Sequence, residues 1–193
     1  MTRKVAYVFA FMLIIDLLAS CSKPRTYQVE INESYLNLRN FVNNRSLTED
    51  NAVKWSELEV TMQYVYVQTA SNFEIPSLFS TTAYAKKEES NWIFQNNYES
   101  ILVFAKTEGG SDRNITDDCS FIFKGVTYTN PDDLINQLNS HLQGYGNSVD
   151  SPSIGFKVRF SSTLVKTENQ LIKINTTLSN TTLLNTSYTI DIN

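Results

Sequence analysis

At 193 residues the chain has room for one domain with a sizeable core, and its 16 basic and 20 acidic side chains give a formal net charge of −4 with no basic cluster. That balance excludes a nucleic-acid partner as the natural reading, because phosphate backbones are held mainly by Lys and Arg. Two cysteines and one histidine leave little for disulfides or zinc, and Asn, Ser and Thr make up nearly a third of the chain, a composition that favours strands, turns and polar loops.

The N-terminal stretch divides into a basic head (Arg3, Lys4), an apolar run from Val5 to Ile15, and a small-residue exit, Ala19-Ser20, before Cys21. This is the three-part layout of a secretory signal. A membrane-spanning helix needs ~20 apolar residues to cross ~30 Å of hydrocarbon, and this run is shorter and interrupted by Asp16. Leu18-Ala19-Ser20-Cys21 resembles the lipobox of bacterial lipoproteins, in which a leucine and two small residues precede an acylated cysteine. Asp16 is a departure from that pattern. The resemblance implies that residues 1–20 are a signal peptide, that Cys21 is the lipidated first residue of the mature protein, that 21–26 form a tether and that 27–193 form a single domain. Such a protein is exported and held at the cell membrane or outer membrane by its acyl chains, whose buried methylenes contribute about 0.8 kcal/mol each. An ordinary cleaved signal with an unmodified Cys21 is the alternative. With Cys21 used for lipid, Cys119 has no partner within the chain, and the implied fold has no disulfide.

Past the tether, "TYQVEIN" alternates with Tyr27, Val29 and Ile31 on one face, which predicts a strand. In "SYLNLRNFV", Leu36, Asn40 and Phe41 fall at helical spacing and suggest a short helical turn. "WSELEVTMQYVYVQT" predicts a strand with Leu58, Val60, Met62, Tyr64 and Tyr66 inward and Val65 and Val67 on the other side. Pro76 marks a turn, and a strand is expected from Thr81 to Lys86, its charged end suiting a sheet edge. Ile101 to Ala105 is a near-continuous apolar run expected of a central strand, stopped at Gly109-Gly110. "SFIFKGVTYT" places Phe121 and Phe123 on one side, with Gly125 as a bulge or tight turn.

The helix signal is concentrated in "TNPDDLINQLNSHLQG". Asn130 caps, Pro131 suits the first position, Asp132 and Asp133 complement the helix dipole, and Gly144 ends it behind the stripe Leu134, Ile135, Leu138 and Leu142. Three more strands follow: Phe156, Val158 and Phe160; then Ile172, Ile174 and Leu178; then Tyr188, Ile190 and Ile192. One-faced alternation means antiparallel sheet with one side in water. The sum is a mainly β protein, an antiparallel β-sandwich of immunoglobulin-like or transthyretin-like character with seven or eight strands and one short packing helix. The C-terminal third is similar to small lipoproteins of unknown function from Bacteroidetes, where the final turn usually carries Asn-Gly or Asp-Gly; here Ser179-Asn180-Thr181 stands there without glycine.

Chemistry is sparse. His141, the sole histidine, sits at the edge of the helix stripe, far in sequence from Cys119, and no triad or Cys-His arrangement is indicated. Asp112, Asn114, Thr116 and Asp118 in "DRNITDD" begin like a calcium loop, but Asp117 and Phe123 occupy the places where an EF-hand needs glycine and a carboxylate. Asp117-Asp118, Asp132-Asp133 and Glu88-Glu89 read as loop, helix cap and strand end, and no phosphate-binding glycine motif occurs. No catalytic residue, metal or cofactor is expected. Aromatics offer a binding reading: Trp92, Phe94 and Tyr98, with Trp55, would stack on a sugar while Asn96 and Asn97 bond its hydroxyls. The expectation is a lipid-anchored cell-envelope protein with a binding or accessory role and an envelope protein as partner; the alternative is a glycan-binding module for surface polysaccharide capture.

Overall fold

The structure is a computed structural model that describes residues 7, 11, 12, 25–48, 51–71, 90–106, 110–144, 154–161, 164 and 170–193. Among them are twelve strand segments: β1 (Arg25–Asn40), β2 (Arg45–Ser46), β3 (Ala52–Val53), β4 (Leu58–Ser71), β5 (Ser90–Phe94), β6 (Tyr98–Lys106), β7 (Arg113–Asn114), β8 (Cys119–Phe123), β9 (Val126–Tyr128), β10 (Ile154–Phe160), β11 (Gln170–Leu178) and β12 (Leu183–Ile192). One helix, α1 (Pro131–Gly144), lies between β9 and β10. Seven strands form a larger sheet in the order β2-β1-β4-β10-β8-β9, with β5 on the free side of β1, and five form a smaller sheet in the order β3-β12-β11-β6-β7. The protein is mainly β, two sheets packed as a sandwich, with α1 packed against it. Most pairs are antiparallel, but β1 with β5 and β12 with β3 are parallel.

The alternation seen in the sequence sets the core. Leu58, Val60 and Met62 of β4, Phe121 of β8, and Phe156 and Val158 of β10 point inward from the larger sheet. Ile101 and Val103 of β6, Ile172 and Ile174 of β11, and Ile190 of β12 meet them from the smaller one. Apolar burial at roughly 25 cal/mol per Å² is the main force holding the layers together. Helix α1 begins with the Asp132 amide donating to Asn130 Oδ1 at 3.0 Å, and its four buried side chains, Leu134, Ile135, Leu138 and Leu142, lie against the sandwich, chiefly against β6. Lys124 and Gly125 both take positive φ, 49° and 81°, and form a tight two-residue turn between β8 and β9.

Several expectations change. No helical turn forms at "SYLNLRNFV": Ser34 to Asn40 extend β1, which pairs with β4 from Tyr27 to Asn40, so Leu38 and Asn40 turn inward at period two, and Phe41 and Val42 enter the turn that follows. The run Ile101 to Ala105 alternates, with Leu102 exposed on the outer face. The first strand begins at Arg25 and so takes in the last two residues of the expected tether. The strand expected at Thr81 to Lys86, Pro76, Cys21 and Gly109 lie outside the described residues, as do Glu88 and Glu89.

The two sheets also meet at their edges. Ser34 Oγ of β1 and Thr186 Oγ1 of β12 are 2.6 Å apart, and Thr186 Oγ1 also donates to the Ser34 carbonyl at 3.1 Å. Where the chain crosses from β5 to β6, Asn96 acts as a substitute strand: its Oδ1 accepts from the Ile31 amide at 3.0 Å and its Nδ2 donates to the Ile31 carbonyl at 2.9 Å. Asn139 of α1 does the same for the Tyr98 peptide group, accepting at 2.8 Å and donating at 2.9 Å.

Candidate functional site

The most organised polar group of side chains lies on the outer face of the larger sheet. Glu59 is flanked on β4 by the core residues Leu58 and Val60, so alternation turns it outward, yet it is 0% exposed. The register explains how it is covered: Arg39 of β1 and Arg159 of β10 are its direct neighbours on either side. Arg39 donates Nε (2.7 Å) and Nη2 (2.6 Å) to Oε1, and Arg159 donates Nε and Nη2, both at 2.9 Å, to Oε2. Lys157, two residues along the same face of β10, reaches Oε1 at 3.2 Å. The cations remain 35% (Arg39), 40% (Lys157) and 39% (Arg159) exposed, so they form a lid with its upper surface in water. Phe41 supports that lid, its ring centre 4.1 Å from the Arg159 guanidinium. Burial by itself raises a carboxylate's pKa, but the hydrogen bonds from Arg159, Lys157 and Arg39 and the charge of Lys157 outweigh it and hold Glu59 below its ordinary value of 4.5.

The residues singled out from the sequence are not assembled into a platform. Asn96 and Tyr98 are 1% and 2% exposed, the former spent on the Ile31 peptide and the latter packed edge-on against Tyr64. Trp92 is half-buried and stacks on Tyr27 at 4.8 Å, while Trp55 is buried against Phe160. Asn96 and Tyr98 therefore offer no surface to a sugar, and the glycan-binding assignment of those two residues is corrected. Tyr98 turns inward because Glu99 is an extra residue opposite the Thr177/Leu178 step, a bulge that shifts the alternation by one.

His141 Nδ1 is 2.8 Å from Lys124 Nζ, and its ring meets Phe123 edge-on; burial and the Lys124 charge lower its pKa, so it accepts from the ammonium as a neutral ring. Cys119 is buried and free, donates to the Ile115 carbonyl at 3.2 Å, and has its thiol pKa pushed up by burial and by Asp118 and Asp117. The oxygens of "DRNITDD" diverge: Asp112 pairs with Lys173, Asn114 accepts from Thr116, and Asp118 pairs with Arg113. Among the described residues no group of three or more His, Cys, Asp or Glu side chains is placed to hold a metal, and no helix is long and apolar enough to cross a membrane.

No protein-family model matches the chain, and no curated protein matches it. Among solved structures it is similar to a chain named BspA_C_mut, with 11% sequence identity and a TM-score of 0.25, over 82% of this chain and 46% of that one. This chain thus spans less than half the length of that chain, and at such a TM-score the likeness carries no argument.

Proposed function

We propose that the protein is a lipid-anchored cell-envelope protein that works by binding, or as an accessory subunit of an envelope assembly, and not by catalysis. The observation that carries this reading is Leu18-Ala19-Ser20-Cys21 set behind a basic head and an apolar run, with the first strand starting only four residues after the cysteine. At ~3.3–3.6 Å per residue the tether spans at most about 15 Å, which holds the sandwich close to the bilayer. A second reading, glycan capture, is favoured by the polar outer face around Glu59 and not by Asn96 and Tyr98.

The test of the anchor is metabolic labelling with a clickable fatty acid. Wild type takes up label and Cys21→Ser does not; equal labelling of the two overturns the lipoprotein reading.

A further inference from the structure

Three cations around one carboxylate give this cluster a local surplus of two positive charges, in a chain whose formal net charge is −4; the acids Glu33 and Glu30 of the same face lie farther along β1, beyond the Tyr35–Gln63 row. One arginine fork is enough to neutralise Glu59. Nearby acids do not absorb the surplus: Glu57 pairs with Lys54 at 3.6 Å and accepts from Asn40, and Asp118 lies 4.0 Å from Arg113. Donors remain available. Lys157 gives one contact to Glu59, so two of its three N–H groups are uncommitted, and Arg159 uses Nε and Nη2 but not Nη1. Both side chains are already ordered by Glu59, so a ligand that meets them does not bear the entropy of fixing them.

The rows beside this cluster are polar and carry an aromatic ring. Asn37, Thr61 and Lys157 are neighbours across β1, β4 and β10, and the next row is Tyr35, Gln63 and Gly155. Asn37 Nδ2 donates to Gln63 Oε1 at 3.3 Å, which leaves Asn37 Oδ1 and Gln63 Nε2 for hydroxyl groups. Tyr35 is 45% exposed. Gly155 leaves that row without a third side chain, and a Cβ there would sit 2.5 Å from the Met62 carbonyl oxygen.

We infer that this face binds an acidic polysaccharide: a sulfate or carboxylate group sits on Lys157 and Arg159 Nη1, adjoining hydroxyls meet Asn37, Thr61 and Gln63, and a sugar ring lies along Tyr35. The choice of a polymer over an anionic membrane rests on the anchored reading. At ~3.3 Å per residue the 16-residue β1 is roughly 50 Å long, with the tether at its Arg25 end and the cations beside Arg39, near the other. The patch therefore stands at the pole away from the lipid.

The full chain in detergent micelles, titrated with fluorescent dextran sulfate, is expected to bind saturably at low salt and more weakly as salt is raised, while neutral dextran of the same length does not bind. Lys157→Met, which leaves both arginine forks on Glu59, weakens binding roughly tenfold, the scale of one charge-assisted contact, with the folded circular-dichroism spectrum of the wild type retained at the assay temperature; Lys157→Gln, read beside it, guards against a methionine that perturbs the sheet. Absence of dextran sulfate binding, equal affinity in wild type and both variants, or Lys157-dependent preference for phosphatidylglycerol vesicles overturns the inference. Cys21→Ser is expected to bind dextran sulfate like wild type in solution, so failure of the anchor and failure of the binding face are read separately.

Discussion

Glu59 occupies a position where a strand ordinarily shows its side chain to water, and it is closed off instead by its own counter-ions. Removing the carboxylate leaves Arg39, Lys157 and Arg159 facing one another without compensation. Glu59→Gln is expected to destabilise the fold by about 2 kcal/mol at neutral pH, within the range for hydrogen bonds to charged groups. The pH dependence has a definite sign. Because the folded-state pKa lies below the ordinary 4.5, the unfolded chain binds more protons in the interval between the two, and stability falls as pH drops from about 4.5 through the folded value. Denaturant unfolding from neutral to acid pH therefore shows a larger loss in wild type than in Glu59→Gln, and identical profiles count against the cluster as an acid-sensitive element. In the sequence this residue was not legible. "WSELEVT" reads as an ordinary half-exposed strand, and the partners Arg39 and Arg159 stand 20 and 100 residues away, distances that only sheet register resolves.

At the scale of elements, the turn between β11 and β12 carries a cost that its sequence foreshadows. Thr181 adopts φ 65°, the left-handed region that glycine takes freely and a β-branched residue disfavours by roughly 1–2 kcal/mol. The turn survives because Thr181 N donates to the Leu178 carbonyl, Leu178 N to the Thr182 carbonyl, and Thr182 N to Asn180 Oδ1. Thr181→Gly is expected to raise stability by about 1 kcal/mol, seen as a higher denaturation midpoint; a lower midpoint refutes the strain. Local signals elsewhere were readable for the same reason that this one was. Asn130, Pro131 and Leu134 to Leu142 specify α1 through contacts within a few residues, and the alternation of Phe156, Val158 and Phe160 needs only a period of two. What local pattern misjudged were sites decided by pairing. The helical spacing of Leu36, Asn40 and Phe41 yields to the long ladder with β4, and the bulge at Glu99 carries Tyr98 into the core. Asn96 and Asn139 were equally hidden, since an amide that replaces a strand looks, in sequence, like any polar residue.

For the molecule as a whole, β1 is the element that joins the separate parts. It pairs with β4 along nearly its entire length, carries β5 and β2 on its other side, and is stitched to β12 through Ser34 and Thr186. Its two ends are also the two ends of the proposed activity, tether at Arg25 and cation lid at Arg39. The consequence is mechanical. A polymer held at Lys157 while lipid holds residue 21 loads the sheet along its strands, so the ladders from β1 to β4 and from β4 to β10 bear the force in shear, with many hydrogen bonds sharing it at once. Pulling between residues 21 and 71 instead opens the β1–β4 pair from the Tyr27–Ser71 end, one bond after another. Single-molecule traction between residues 21 and 157 is therefore expected to need a higher unfolding force than traction between 21 and 71, and the reverse order would refute this load path. On the proposed reading, a sandwich built in this way resists being torn from a lipid anchor by a polymer bound at its far end.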